Sequence, residues 1–201
     1  FAFLSEHITD VYAAYLDMLH GMGTHPDAPG AEEAGAAQPA YLSFPALFRY
    51  TFPECIVTIR NGSPRIQPRQ LAYGFVYGLR YEMESRYRSD RNYLREGRTP
   101  EWTEHARKIG RLRRDYEDLL LLGRYRDQEG FACNPKLVAA RFAGDKREGI
   151  ALWNDTDSSQ RISLCMPGFR VVQWAKADGA GQGALDCLLP GEIALLILAP
   201  E

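Results

Sequence analysis

The 201-residue sequence has only four cysteines and four histidines, and the cysteines, Cys55, Cys133, Cys165 and Cys187, form no Cys-x-x-Cys pair and no regular spacing. That pattern argues against a zinc knuckle or a disulfide framework. Cys165 and Cys187 both fall in strand-like runs, and only their spatial separation decides whether they pair. His20 and His25 flank a glycine-rich stretch without ligand spacing, so neither a metal nor a cofactor is expected. Neither charge sign dominates: 24 basic residues stand against 26 acidic ones, and no global field draws the chain to nucleic acid or an anionic membrane. The longest apolar runs, residues 119–122 and 193–199, fall far short of the roughly 18 residues of a membrane span. Phosphate-loop, dinucleotide-turn, nucleophile-elbow and zinc-helix signatures are all missing, which removes the common nucleotide, serine-hydrolase and zinc-protease chemistries.

What is present falls into two regimes of periodicity. The chain opens Phe1-Ala2-Phe3-Leu4-Ser5-Glu6, a short apolar run closed by a carboxylate, without an initiator Met or a basic leader. It reads as a buried strand that begins partway into a larger sheet. Val11, Tyr12, Tyr15, Leu16 and Leu19 then recur at helical spacing, with Thr9 or Asp10 as N-cap and Gly21 or Gly23 as the stop. Residues 24–40 are Ala, Pro or Gly at eleven of seventeen positions and read as a surface loop. Aromatic residues 44–52 and the β-branched run 55–59 read as two extended pieces parted by Pro53. Leu71, Phe75, Leu79 and Met83 step by four and predict a buried helix. Thr99-Pro100-Glu101 starts another helix, with a stripe from Trp102 to Leu120 and Gly123 as its cap.

Beyond Phe131 the period changes to two. Runs at 137–142, 149–154, 161–166, 170–176, 184–189 and 192–199 are separated by turn residues such as Pro-Gly and Asp-Gly. They predict a small antiparallel β-sandwich with a thin core that leans on the helical part. The expected organisation is α/β followed by all-β, with residues 1–130 as one unit and 131–201 as the other.

Few residues are placed for chemistry. Glu6 closes the first strand, and in an α/β barrel the carboxyl ends of strands carry the reaction. Asp10, one helical step on, is placed to form with it the paired-carboxylate environment that acid/base catalysis uses; the structural reading has Asp10 capping the helix and Glu6 pairing with an arginine. Arg49, Tyr50 and Glu54 cluster around the second apolar stretch, where the same strand-end argument turns them toward a cleft as ligands of hydroxyl-rich or anionic substrates. Residues 80–126 hold twelve Arg and one Lys against nine acids with tyrosines interleaved, which resembles a stacking-plus-phosphate surface. The acids are mixed through the run, however, and Arg exceeds Lys twenty to four over the whole chain, so no nucleic-acid partner is expected.

Three strings, Leu4-Ser5-Glu6-His7-Ile8-Thr9-Asp10-Val11-Tyr12, Leu47-Phe48-Arg49-Tyr50-Thr51-Phe52-Pro53-Glu54 and Leu189-Pro190-Gly191-Glu192-Ile193-Ala194-Leu195-Leu196, resemble the end of bacterial glycoside-hydrolase-like proteins with a (β/α)8 catalytic barrel and a C-terminal β-sandwich. The resemblance implies an incomplete C-terminal segment of a (β/α)8 barrel, then an accessory sandwich. It implies Glu6 at the catalytic rim, Arg49, Tyr50 and Glu54 at a later strand end, and an oligo- or polysaccharide substrate. Hydrolysis needs two carboxylates, and the second is expected upstream of residue 1. The alternative from another class is a non-catalytic carbohydrate-binding or protein-interaction module, in which Trp153 and Trp174 stack on sugar rather than pack in a core. No oligomeric state or compartment follows from these residues.

Overall fold

The computed structural model describes residues 3–5, 15–22, 43–61, 68–83 and 100–201. Its first half is a parallel sheet of four strands in sequential order: β1 (Leu4–Ser5), β2 (Met18–Met22), β3 (Ile56–Asn61) and β4 (Arg80–Met83). Helix α1 (Ser43–Thr51) lies between β2 and β3, α2 (Pro68–Val76) between β3 and β4, and α3 (Pro100–Asp115) after β4. Parallel strands that follow one another in space as in sequence, with helices in the β2–β3 and β3–β4 connections, match the repeating unit of a (β/α)8 barrel.

Three elements differ from the sequence expectation. Met18–Met22 is a strand, not the end of a helix. Asp17 marks the change: its backbone N–H donates to Phe3 O at 3.0 Å and its carbonyl accepts from Ile56 at 3.0 Å, so ladders on both sides impose extension on a segment of weak strand propensity. Residues 43–51 are helical rather than extended. Phe48 and Phe52, four apart, bring their ring centroids to 5.0 Å, an i,i+4 pair that aromatic content alone disguises as strand. Finally, the four-residue rhythm from Leu71 to Met83 runs through a helix end. Gly78 takes φ +65°, its N–H donates to Phe75 O and that of Leu79 to Gly74 O. That pair of bonds is a Schellman cap, and the residues beyond it turn back into β4.

The second half centres on a six-stranded sheet, in spatial order β12 (Gly179–Gln182), β11 (Phe169–Lys176), β14 (Ile193–Pro200), β8 (Glu148–Trp153), β7 (Val138–Ala143) and β5 (Arg124–Tyr125). All its pairings are antiparallel. Edge strand β5 precedes the expected boundary at residue 130. Opposite one face lie two short ladders, β6 (Ala132–Cys133) with β10 (Leu164–Cys165), and β9 (Gln160–Arg161) with β13 (Cys187–Leu188). Ile162, Leu164 and Met166 are more buried than Arg161, Ser163 and Cys165, the alternation the sequence suggested, in two ladders rather than one strand.

Strand β14 explains how the halves join. From Ile193 to Leu198 every side chain is buried: Ile193, Leu195 and Ile197 face a core shared with α2, α3 and the short helix α4 (Glu117–Leu120), while Ala194, Leu196 and Leu198 face the two-ladder side. A central strand covered on both faces reads as a continuous apolar run. Each fully buried Leu or Ile contributes about 1.5–3 kcal/mol, so this strand secures the sandwich to the helices. The expectation of a thin sandwich core leaning on the helical part is met here.

Candidate functional site

Because β1 to β4 run parallel, their carboxyl ends at Ser5, Met22, Asn61 and Met83 lie on one side of the sheet. Glu6 follows Ser5 directly in sequence. Glu6 and Asp10 themselves lie outside the described residues, as do residues 23–42, 62–67 and 84–99, which follow the other three strand ends.

Arg49, Tyr50 and Glu54 occupy the other side. Arg49 and Tyr50 sit in the last turn of α1, and Glu54 in the turn that leads into the amino end of β3. The strand-end placement expected of them is thus corrected: a helix and turn that enter β3 deliver these residues to the rim opposite the carboxyl ends. Arg49 is buried and donates through its NH1 nitrogen to Pro53 O at 3.1 Å and to Cys55 O at 2.8 Å. Its guanidinium carbon lies 5.8 Å from the Tyr125 ring centroid. Burial lowers its pKa from the ordinary guanidinium value. It ties the α1–β3 turn to β5. Tyr50 and Glu54 are exposed, and the Tyr50 hydroxyl lies 3.5 Å from Glu129 Oε2.

Several arginines and tyrosines of the 80–126 stretch are turned inward. Arg113 is 4% exposed and lies 4.4 Å over the Tyr81 ring. Arg80 donates to Leu121 O at 2.8 Å, and Arg147 lies 5.1 Å over Tyr116. These contacts pack α3 and α4 against the rest of the fold. Trp153 and Trp174 do not meet either. Trp153 is 1% exposed in the core under the helices, while Trp174 is half-buried on the other face of the same sheet, laid against Gly181. All four cysteines are free thiols. Among the described residues no group of His, Cys, Asp or Glu could hold a metal ion, and no helix is long and apolar enough to cross a membrane.

Sequence reasoning missed one feature. A cleft of about 630 Å³ opens along the seam between α1 and the sandwich, lined by Leu47, Tyr50, Tyr77, Asp127, Lys136 and Asp155 among others. Tyr77 falls inside the 71–83 rhythm that reads as one helix, and Asp127 takes φ +49° in an Arg-Asp-Gln-Glu-Gly stretch whose turn chemistry is visible locally.

No family model matches the chain, and no curated protein matches it. Solved structures do. It is similar to a noncanonic maltogenic α-amylase from Thermotoga neapolitana, with a TM-score of 0.64 at 10% identity over 98% of this chain and 54% of that one. The α-amylase of Geobacillus thermoleovorans, solved with acarbose, gives a TM-score of 0.61 at 14% identity over 100% of this chain and 54% of that one. The chain has the fold of part of a (β/α)8 barrel followed by a β domain. A trehalose-6-phosphate hydrolase from Bacillus licheniformis extends the likeness, with a TM-score of 0.53 at 10% identity over 95% of this chain and 53% of that one. The chain spans about half the length of these glycoside-hydrolase structures.

Proposed function

We propose that the chain is part of a carbohydrate-active glycoside hydrolase in which the residues up to α4 contribute to the catalytic barrel and the strands from β5 onward form an accessory β domain. The observation that carries this reading is the direct succession of Ser5, the carboxyl end of β1, by Glu6 in a sheet of sequential parallel strands. In a barrel that end of a strand meets substrate. Glu6 serves as general acid/base or as a ligand of sugar hydroxyls, and Asp10, four residues on in sequence, as a substrate ligand. In hydrolysis one carboxylic acid gives its proton to the departing glycosidic oxygen as the bond to the anomeric carbon breaks. A second carboxylate acts as nucleophile or as base toward the water whose hydroxyl ends on that carbon. The second carboxylate belongs to the part of the enzyme that this chain does not span. α-Glucosides are the first substrates to try, because two of the similar structures are α-amylases.

The test is an assay of the complete protein on aryl glycosides and malto-oligosaccharides with Glu6→Gln as the variant. Loss of about a hundredfold or more in kcat is expected for a general acid. Full turnover by Glu6→Gln removes the catalytic role, and an inactive wild type across a broad glycoside panel removes the reading.

A further inference from the structure

The seam cleft lies at the amino ends of the strands, away from the rim that Glu6 follows. Six-residue β3 alone sets these two levels roughly 20 Å apart at about 3.3 Å per residue. Its volume of about 630 Å³ falls in the range of small-molecule sites.

Its lining combines two kinds of surface. One wall is the outward side of α1, where Leu47 is 67% exposed and Tyr50 46% exposed. Large apolar groups left open side by side on a helix are a surface that a ligand's hydrocarbon face can cover. The other wall is polar. Tyr77, only 8% exposed, lines the cleft and brings a phenol hydroxyl to this wall. Burial first, then Asp127 and Asp155, push that hydroxyl up to about 12, so it remains an O–H donor at working pH. Asp127 accepts from the Tyr125 hydroxyl through Oδ1 at 3.2 Å, and Asp155 from Arg69 through Oδ2 at 2.7 Å. One such bond does not saturate an ionised carboxylate, which has about four acceptor positions.

We propose that this cleft is a second, non-catalytic binding site for a neutral mono- or disaccharide. A sugar offers hydroxyls around its edge for Tyr77, Asp127, Asp155 and Lys136, and C–H faces for Tyr50 and Leu47 to stack against. Two carboxylates disfavour an anionic ligand, Lys136 and Arg69 offset them against a cationic one, and the polar wall disfavours a wholly apolar one. The site does not depend on turnover at the catalytic rim.

Calorimetric titration and saturation-transfer NMR of the complete protein with glucose and with maltose test it. Binding of at least one of the two in the millimolar range is expected. Tyr50→Ala should weaken it about tenfold by removing the stacking face, and Tyr77→Phe about fivefold by removing one hydrogen bond. Turnover of an aryl glycoside should be unchanged in both variants. Leu47→Glu, on the same exposed helix face, should also weaken binding and gives an independent reading if Tyr50→Ala alters folding. Absence of saturation with both sugars in the wild type overturns the proposal. So does undiminished binding in all three variants, or loss of turnover in step with loss of binding, which would put the sugar in the catalytic cleft instead. Because binding is read without turnover, an inactive protein that still binds at the seam would sink the hydrolase reading and leave this one standing.

Discussion

The guanidinium carbon of Arg49 lies 5.8 Å from the centre of the Tyr125 ring, so a residue from the last turn of α1 touches edge strand β5 of the six-stranded sheet. The same side chain holds the carbonyls of Pro53 and Cys55. Arg49→Ala is expected to destabilise the protein by about 2–4 kcal/mol, the loss of charged donors to two carbonyls in a buried setting. Urea denaturation of wild type and variant measures it. If the proposed function holds, the folded fraction of the complete protein keeps its turnover of glycosides, because Arg49 lies on the rim opposite the strand carboxyl ends.

Gly78 combines a φ of +65° with a close neighbour: a Cβ there would fall 2.8 Å from Phe142 Cε1. Gly168 has a similar φ of +76° with nothing within 4 Å. Gly168→Ala should therefore cost about 1–2 kcal/mol from the left-handed conformation alone, and Gly78→Ala about 2–4 kcal/mol because overpacking is added. Equal losses in parallel thermal melts would show that Phe142 yields without cost.

Trp153 and Trp174 stand on opposite faces of one sheet and answer to different cores. Trp153→Ala, at a fully buried position, is expected to cost about 3–5 kcal/mol. Trp174→Ala, at a half-buried one, should cost about 1–3 kcal/mol. Neither should change retention on polysaccharide affinity gels, whereas a loss of retention in both variants would restore the idea of a tryptophan platform.

Asp118 accepts two hydrogen bonds from Arg147, from Nε at 2.7 Å and from an NH2 nitrogen at 2.6 Å, and pins α4 to the β7–β8 hairpin. The hydrogen bond from Arg147 lowers the Asp118 pKa below 3.8. A depressed carboxylate pKa contributes stability above its unfolded value, and that contribution is lost as pH falls through the folded one. Wild type should melt higher than Asp118→Asn near neutral pH, and the gap should close as the pH drops below 3.8. A gap that persists in strong acid would assign the effect to packing over Tyr116 instead of to charge.

Much of the second half was legible because its signals are local. Turn residues at 167–168 and 190–191 end strands wherever the chain folds, and the run 193–198 is apolar on both faces because both faces are buried. The start of the helix at Pro100 was equally plain, with its proline at the first position, although the expected single helix to Gly123 breaks at Tyr116 into α3 and α4, and α4 is capped at Leu121. Errors fell where two periods compete. Residues 71–83 keep a four-residue rhythm across the Gly78 cap, and residues 44–52 are aromatic enough to pass for strand while spaced as a helix.

The candidate site divides in the same way. That Glu6 ends an apolar run is a property of the residues themselves, and so are the absence of nucleotide and zinc signatures and the change of period beyond residue 131. Only tertiary structure decided that Met18–Met22 is extended, because the hydrogen bonds that extend it come from β1 and β3. It also turned Arg49, Tyr50 and Glu54 to the amino end of β3, parted Trp153 from Trp174, and brought Tyr77, Asp127 and Asp155 to one cleft. Those three residues are far apart in sequence, and a site assembled by packing leaves no spacing along the chain from which it can be read.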